Sequence, residues 1–192
     1  RDDVESRRLG DVYKRQEFTW EMEYDTEGHL VVMKRSESDG EITNITYKDG
    51  DVVKTSTRYV ASGDLNGDGI IDSNDEWEYS AAIDYTTDNI TAPIENKGCL
   101  MLFDEILDVD MDEMIYAYYG GMLGKATKHL PLVGHYTYNG EDSVSDMYFT
   151  WTLNSDSYPT ELVVKDQWDE YRCTFTSVSY THLRAHETRR HL

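Results

Sequence analysis

The sequence predicts a mainly β fold: a curved antiparallel meander of hairpins, forming an open sheet or partial barrel, with a short two-helix insertion. Three observations predict it. Strand patterns repeatedly flank Asp/Asn/Gly turns, one ten-residue run alternates between apolar and polar at every position but Ala82, and one stretch alone carries a helical period.

The first hairpin is Phe18 to Tyr24, in which Phe18, Trp20, Met22 and Tyr24 alternate with polar residues, then a turn at Asp25-Thr26-Glu27-Gly28, then Leu30 to Met33. A second runs from Ile42 to Tyr47, turns at Lys48-Asp49-Gly50-Asp51 and returns through Val52 to Thr57. Its Asp-Gly pair tolerates the positive φ of a tight turn. Glu76 to Tyr85 is the cleanest strand: Trp77, Tyr79, Ala81, Ile83 and Tyr85 share one face and Glu76, Glu78, Ser80, Ala82 and Asp84 the other, so one face is buried and one is wet. The helical insertion falls at about 100–120. Leu102, Phe103, Ile106 and Leu107 fit a 3.6 period, and Asp110 with Glu113 makes a capping box ahead of Met114, Ile115, Tyr118 and Tyr119. Gly120, Gly121 and Gly124 end it. Tyr136 to Tyr138 precedes a third turn at Asn139-Gly140. The fourth hairpin closes an internal repeat: Phe149-Thr150-Trp151, Asp156 and Leu162-Val163-Val164 reproduce Phe18-Thr19-Trp20, Asp25 and Leu30-Val31-Val32, with one residue inserted before the last triplet.

The two ends read differently. Asp11 to Gln16 can be encoded by GAT GTG TAT AAG AGA CAG, whose reverse complement in another frame encodes Val178 to Leu183. Extending the complement through Thr188 gives Ser-Arg-Gly-Leu-Gly, one base change from Ser6 to Gly10. Residues 1–16 and 177–192 therefore resemble a translated sequencing adapter on a gene fragment, and fold reasoning is confined to a single β-rich domain over 17–176. The whole chain of 192 residues has 18 Lys plus Arg against 38 Asp plus Glu, a net charge of −20. This rules out a nucleic-acid binder that neutralises phosphates. Between 17 and 176 the balance is 10 basic against 33 acidic residues. No apolar run approaches the roughly 18 residues of a membrane-spanning helix. Cys99 and Cys173 allow at most one disulfide.

The chemistry-bearing motif is Asp64 to Asp75. Asp64, Asn66, Asp68, Asp72 and Asp75 occupy loop positions 1, 3, 5, 9 and 12, Gly69 occupies position 6, and Ile70 at position 7 offers its carbonyl. This is the EF-hand spacing for Ca²⁺. A hard cation of this size takes six to eight oxygens at roughly 2.3–2.6 Å, and alternate side chains of a tightly wound loop converge on one centre. Ile71 is expected to pack the loop onto the domain. Asp75 stands where an EF-hand usually has Glu, which resembles the calcium loops of dockerin modules. Only one copy is present, so the reading is a single loop between two strands, acting as a structural clip. His29, His129 and His135 lack zinc spacing, and no G-x-S-x-G, H-E-x-x-H or phosphate-binding glycine loop occurs. The acidic run of Asp104, Glu105, Asp108, Asp110, Asp112 and Glu113 reads as a solvated face.

Leu123-Gly124-Lys125-Ala126-Thr127-Lys128-His129-Leu130-Pro131, with the later Asn154 to Leu162 segment and Ile94-Glu95-Asn96-Lys97, resembles a family of Bacteroidetes secreted lipoproteins of unknown function with a porin-like fold. The resemblance implies a curved antiparallel sheet, an extracytoplasmic location (periplasmic, cell-surface or anchored to the outer membrane) and no established activity. A spanning barrel would need an outward apolar band on many strands, which these strands lack. The resulting expectation is a non-catalytic envelope domain, stabilised by one Ca²⁺, that binds a glycan, a peptide or another surface protein. The alternative is a glycan hydrolase using a pair of carboxylates. A third reading, docking through paired calcium loops, requires a second loop.

Overall fold

The computed structural model describes residues 19–36, 41–59, 63–97, 114, 116–118, 120–140 and 145–175. Eleven strands are formed: β1 (Trp20–Tyr24), β2 (Leu30–Arg35), β3 (Glu41–Lys48), β4 (Asp51–Tyr59), β5 (Trp77–Asp84), β6 (Ile94–Glu95), β7 (His129–Leu130), β8 (Val133–Tyr138), β9 (Ser145–Leu153), β10 (Pro159–Lys165) and β11 (Glu170–Thr174). Nine of them make one antiparallel sheet in the order β1-β2-β3-β4-β5-β8-β9-β10-β11, open between β1 and β11. The short strands β6 and β7 pair separately. The meander read from the sequence is therefore present, and the turn residues explain its tightness. Asp49 (φ 55°) with Gly50 (φ 90°) takes the left-handed conformations of a two-residue hairpin turn, whose twist matches that of the strands it joins, and Asn139 (φ 49°) with Gly140 (φ 71°) takes left-handed conformations just past the end of β8. Register shifts at Glu23/Tyr24, Thr46/Tyr47 and Pro159/Glu161 each insert a local kink, which adds to the curvature.

The concave face is the core. Leu30, Met33, Ile45, Val52, Ala81, Ile83, Tyr85, Tyr136, Phe149, Leu162 and Val164 pack there with Met114 and Leu123, which belong to the long excursion between β5 and β8. β5 keeps both of its expected faces: Ala81, Ile83 and Tyr85 are buried, while Ala82 and Asp84 are exposed. The internal repeat has the same outcome in both copies, since Leu30 and Leu162 are core residues and Trp20 and Trp151 both pack against that core. On β3 and β4 the inward positions include Thr43, Thr55 and Thr57, and the Thr43 and Thr57 hydroxyls satisfy each other at 2.9 Å. The convex face carries polar pairs, including Lys34 with Glu23 at 2.6 Å, Ser56 with Glu78 at 2.7 Å and Arg172 with Glu161 at 3.4 Å. Apolar inside and polar outside is the inverse of a membrane-spanning barrel.

The two-helix insertion is not borne out. Helical backbone at about 100–120 is confined to 114 and 116–118 among the described residues; 98–113 lie outside them. The amides of Gly120, Gly121 and Met122 bond back to the carbonyls of Tyr116, Tyr118 and Ala117, closing the turn as the glycines predict. The helix goes no further because the following residues are drawn into other bonds, beginning with Gly124 against His29 and Lys125 N–H on the Gly28 carbonyl. Residues 1–18 and 176–192, which contain both adapter-like ends, and Cys99 also lie outside the described residues. Cys173 is half-buried on β11 opposite Leu162. No helix among the described residues is long and apolar enough to cross a membrane, which says nothing of strands.

From Leu123 to Leu132 the chain runs across the turn end of the sheet and is bonded at each step. Gly124 bridges His29, and Lys125 N–H donates to the Gly28 carbonyl at 3.0 Å. Lys128 N–H donates to the Gly50 carbonyl at 2.9 Å, and His129 N–H to Asp51 Oδ1 at 2.8 Å. Leu132 N–H donates to the Asp84 carbonyl at 2.8 Å, and Trp151 Nε1–H to the Pro131 carbonyl at 2.7 Å. Two hairpin turns, the end of β5 and the interior of β9 are thus tied by one segment. Gly124 has φ +70°, and a Cβ there would stand 2.8 Å from the Leu30 nitrogen and 2.9 Å from the Gly28 carbonyl oxygen. Gly124→Ala is accordingly expected to lower unfolding stability by about 2 kcal/mol or more, from backbone strain plus displacement of the bridge. Gly140→Ala, at φ +71° with nothing within 4 Å, is expected to cost only about 1 kcal/mol. Urea unfolding midpoints of the two variants check the difference.

Candidate metal centre

Asp64 to Asp75 joins β4 to β5 beyond the end of the sheet where Tyr59 and Trp77 stack with ring centroids 3.7 Å apart. Asp64, Asn66, Asp68 and Asp72 each curl back onto the backbone that follows, the Asx geometry that short polar side chains favour in tight turns. Asp64 Oδ1 accepts from the amides of Gly67 (2.7 Å) and Asp68 (3.1 Å), and Asp64 Oδ2 from Gly69 (2.8 Å). Asn66 Oδ1 accepts from Asp68, Asp68 Oδ1 from Ile70 and Asp72 Oδ1 from Asn74, each at 2.8 Å. Gly69 takes φ 85°, the sharp turn its position requires.

Asp75 closes the loop. Its Oδ1 accepts from the amides of Leu65 (2.7 Å) and Asn66 (3.0 Å), and its Oδ2 from Asp72 (3.0 Å). With Asp72 as N-cap it makes a capping box around the single 3₁₀ turn Ser73–Asp75. The carboxylate is 1% exposed. The amides of Asp72, Asn66 and Leu65 hold it below the usual carboxylate range, against the opposing effect of burial.

The loop is thus wound in the register that the motif predicts, with Asp64 and Asp75 gathering the amides of its first half. Asp64, Asn66, Asp68, Ile70 and Asp72 remain exposed. Among the described residues, no group of three or more His, Cys, Asp or Glu side chains is gathered closely enough to hold a metal ion. The donor set is nonetheless all oxygen, as a hard cation prefers. The hydrogen bonds of Asp68 and Asp72 engage only Oδ1 of each. Ile71 departs from expectation: it is 59% exposed, beside exposed Leu65 and Ile70. The loop projects past the apolar face, so a buried carboxylate rather than a side chain in the core holds it together.

Other polar groups that the sequence did not single out are brought together by the fold. His29 Nδ1 lies 3.0 Å from Asp25 Oδ2, and its ring stacks on Tyr47 at 4.5 Å. Burial pushes the Tyr47 hydroxyl up to about 12, and that oxygen is buried without a hydrogen-bond partner. His129 Nδ1 lies 2.7 Å from Asp51 Oδ2. The Tyr85 hydroxyl donates to the Val52 carbonyl at 2.8 Å and meets Thr127 Oγ1 at 2.7 Å. The four-residue spacing of Asp25 and His29 was the one available signal. Asp51 and His129 are 78 residues apart. A transverse row on the concave face runs Trp20, Arg35, Glu41, Tyr59, Trp77 through successive strand pairs. The buried carboxylates among the described residues are Glu41 and Asp75. Glu41 faces Arg35 at 3.8 Å and Asp75 lies in its own loop, so the paired-carboxylate geometry of a glycan hydrolase is not formed between them. The acidic run of 104–113 lies outside the described residues.

A family described as a domain of unknown function (DUF4595) with porin-like fold matches residues 11–161. Among solved structures, a porin-like protein from Bacteroides vulgatus is similar at TM-score 0.58 and 15% identity, over 84% of this chain and 67% of that one. A porin-like protein from Bacteroides uniformis is similar at TM-score 0.48 and 15% identity, over 82% of this chain and 56% of that one. No curated protein matches the chain.

Because Asp75 has a lowered pKa in the fold, its contribution is present above the ordinary carboxylate value and is lost as pH falls through its folded value. Acid unfolding followed by tryptophan fluorescence is expected to show a stability gap between the native chain and Asp75→Asn that narrows as the native carboxyl becomes protonated. A gap independent of pH would mean that the charge of Asp75 plays no part.

Proposed function

We propose, from the premise that the chain belongs to the family of domains of unknown function with a porin-like fold, that it is a non-catalytic module of the cell envelope whose β4–β5 loop is clipped by one Ca²⁺. The observation that carries this reading is the winding of Asp64 to Asp75, in which every motif side chain is in register and Asp75 is the buried hub. Asp64, Asn66, Asp68, Asp72, Asp75 and the Ile70 carbonyl would hold the ion. The ion would neutralise side chains that otherwise repel one another in a chain of net charge −20. Its role would be to fix the loop above the Tyr59–Trp77 end of the sheet, because no second loop is present to couple with it.

The envelope location, whether periplasmic, at the cell surface or anchored to the outer membrane, rests on the family and on the porin-like fold. The apolar interior and polar exterior of the described strands support a module held beside a membrane rather than one spanning it. A structural or binding role toward a glycan, a peptide or a surface protein accords with the open sheet. No observation favours the hydrolase.

Thermal unfolding of the chain in EDTA and in millimolar Ca²⁺, beside the double variant Asp64→Ala, Asp68→Ala, tests the reading. A ligand that binds only the folded state at a hundredfold excess over Kd adds about 2.7 kcal/mol, on the order of 5–10 °C for a domain of this size. The rise is expected in the native chain and absent from the double variant. An unchanged midpoint, or a rise that survives the double substitution, would reduce the loop to a solvated turn.

A further inference from the structure

We infer that His135 is a proton-dependent staple across the one seam of the nine-stranded sheet, among the described strands, whose two strands are not consecutive in the sequence. Among the described strands, every neighbouring pair is consecutive in sequence except β5 with β8, which meet only after the long excursion through β6 and β7. The seam joins β1–β5 to β8–β11. It is held by six residue pairs from Tyr79↔Tyr138 to Asp84↔Val133, and by Ser80 Oγ against Thr137 Oγ1 at 2.9 Å. At its other end, on the convex face, His135 of β8 reaches both ways. Its Nδ1 stands 2.8 Å from Asp146 Oδ1 on β9 and its Nε2 stands 3.1 Å from Asp84 Oδ2 on β5.

The chemistry of imidazole makes this arrangement conditional. An ionised carboxylate can only accept, so satisfying both contacts requires an N–H on each ring nitrogen, and only the imidazolium has two. A neutral ring keeps one contact and turns a lone pair toward the other carboxylate. The surrounding charge favours the proton. Asp146 and Asp84 are the acidic groups facing the ring, Tyr148 follows on β9, and β8 itself contributes no charge. Lys54 of β4 stands in the same cross-strand row, separated from His135 by Ala82. Hydrogen bonding to Asp146 is the largest influence and raises the His135 pKa above its ordinary 6.5; burial opposes it, and hydrogen bonding to Asp84 with the charges of both carboxylates adds to the rise. Because the folded value is raised, the staple is complete below about 6.5 and is released as pH rises through that folded value. The seam is therefore tighter in mildly acidic surroundings and looser in alkaline ones.

The test follows the imidazole resonances of His135 by NMR from pH 5 to pH 9 in the full chain and in Asp84→Asn and Asp146→Asn, with assignment by His135→Gln. The inflection is expected above 6.5 in the native chain and displaced downward in both Asn variants, further in Asp146→Asn. Thermal midpoints supply the second readout, in which the advantage of the native chain over His135→Gln shrinks as pH rises. An inflection at or below 6.5 in the native chain, or one unmoved by both Asn substitutions, overturns the inference. If His135→Gln does not fold, the native and Asn titrations decide alone.

Discussion

The structure depends on the segment Leu123 to Leu132 being laid across the turn end of a curved sheet. An antiparallel meander has local turns to set each register, but nothing in those turns fixes its curvature or covers its apolar concave side. Here one strap supplies both. Leu123 enters the core, and the backbone of Lys125 and Lys128 caps the first two hairpin turns through the carbonyls of Gly28 and Gly50. Pro131 and Leu132 reach β9 and the end of β5. The two turns are held in parallel fashion by Asp25 with His29 and by Asp51 with His129, so each has a charged acceptor beside the backbone it must fix. Buried amides along the strap find partners, which lets an irregular segment lie against a core at all.

The same constraint accounts for the motif Gly-Lys-x-x-Lys-x-Leu-Pro, which reads in isolation as a marker of family. Gly124 is required by close approach to the Gly28–Leu30 backbone. Thr127 is buried between Asp51, Tyr85 and Val52. Leu130 is fully buried, and Pro131 leaves its carbonyl to Trp151. These are packing roles, and they leave function to be sought elsewhere. The polarity of the described strands, apolar within and charged without, constrains that search, because it is the inverse of the arrangement that a membrane-spanning barrel needs.

The β4–β5 loop was legible because its information is local. Asx turns act over two to five residues, so spacing alone fixes which oxygen meets which amide between Asp64 and Asp72. The Asp–His pairs were hidden for the opposite reason, since Asp51 meets His129 and Asp84 meets His135 only through sheet order and the strap. Ile71 shows the limit of local reasoning within the loop itself. Apolar character at the expected position does not bury a side chain when the loop extends beyond the face that could receive it.

Sequence by itself located the strands other than β6, β7 and β11, with their Asp/Asn/Gly turns, and on β5 which side faces inward, because side-chain alternation and positive-φ turn residues are properties of a few neighbouring positions. It misjudged the insertion, where a helical period extends across residues of which only 114 and 116–118 are helical among those described. Tertiary structure alone decided the seam between β5 and β8, the burial of Thr43 and Thr57 as a hydroxyl pair, and the row from Trp20 to Trp77. The physical reason is that threonine, arginine and glutamate carry no inward signal of their own. Thr43 with Thr57, and Glu41 with Arg35, turn inward on this sheet because each meets its partner on the adjacent strand, and only the assembled register provides it.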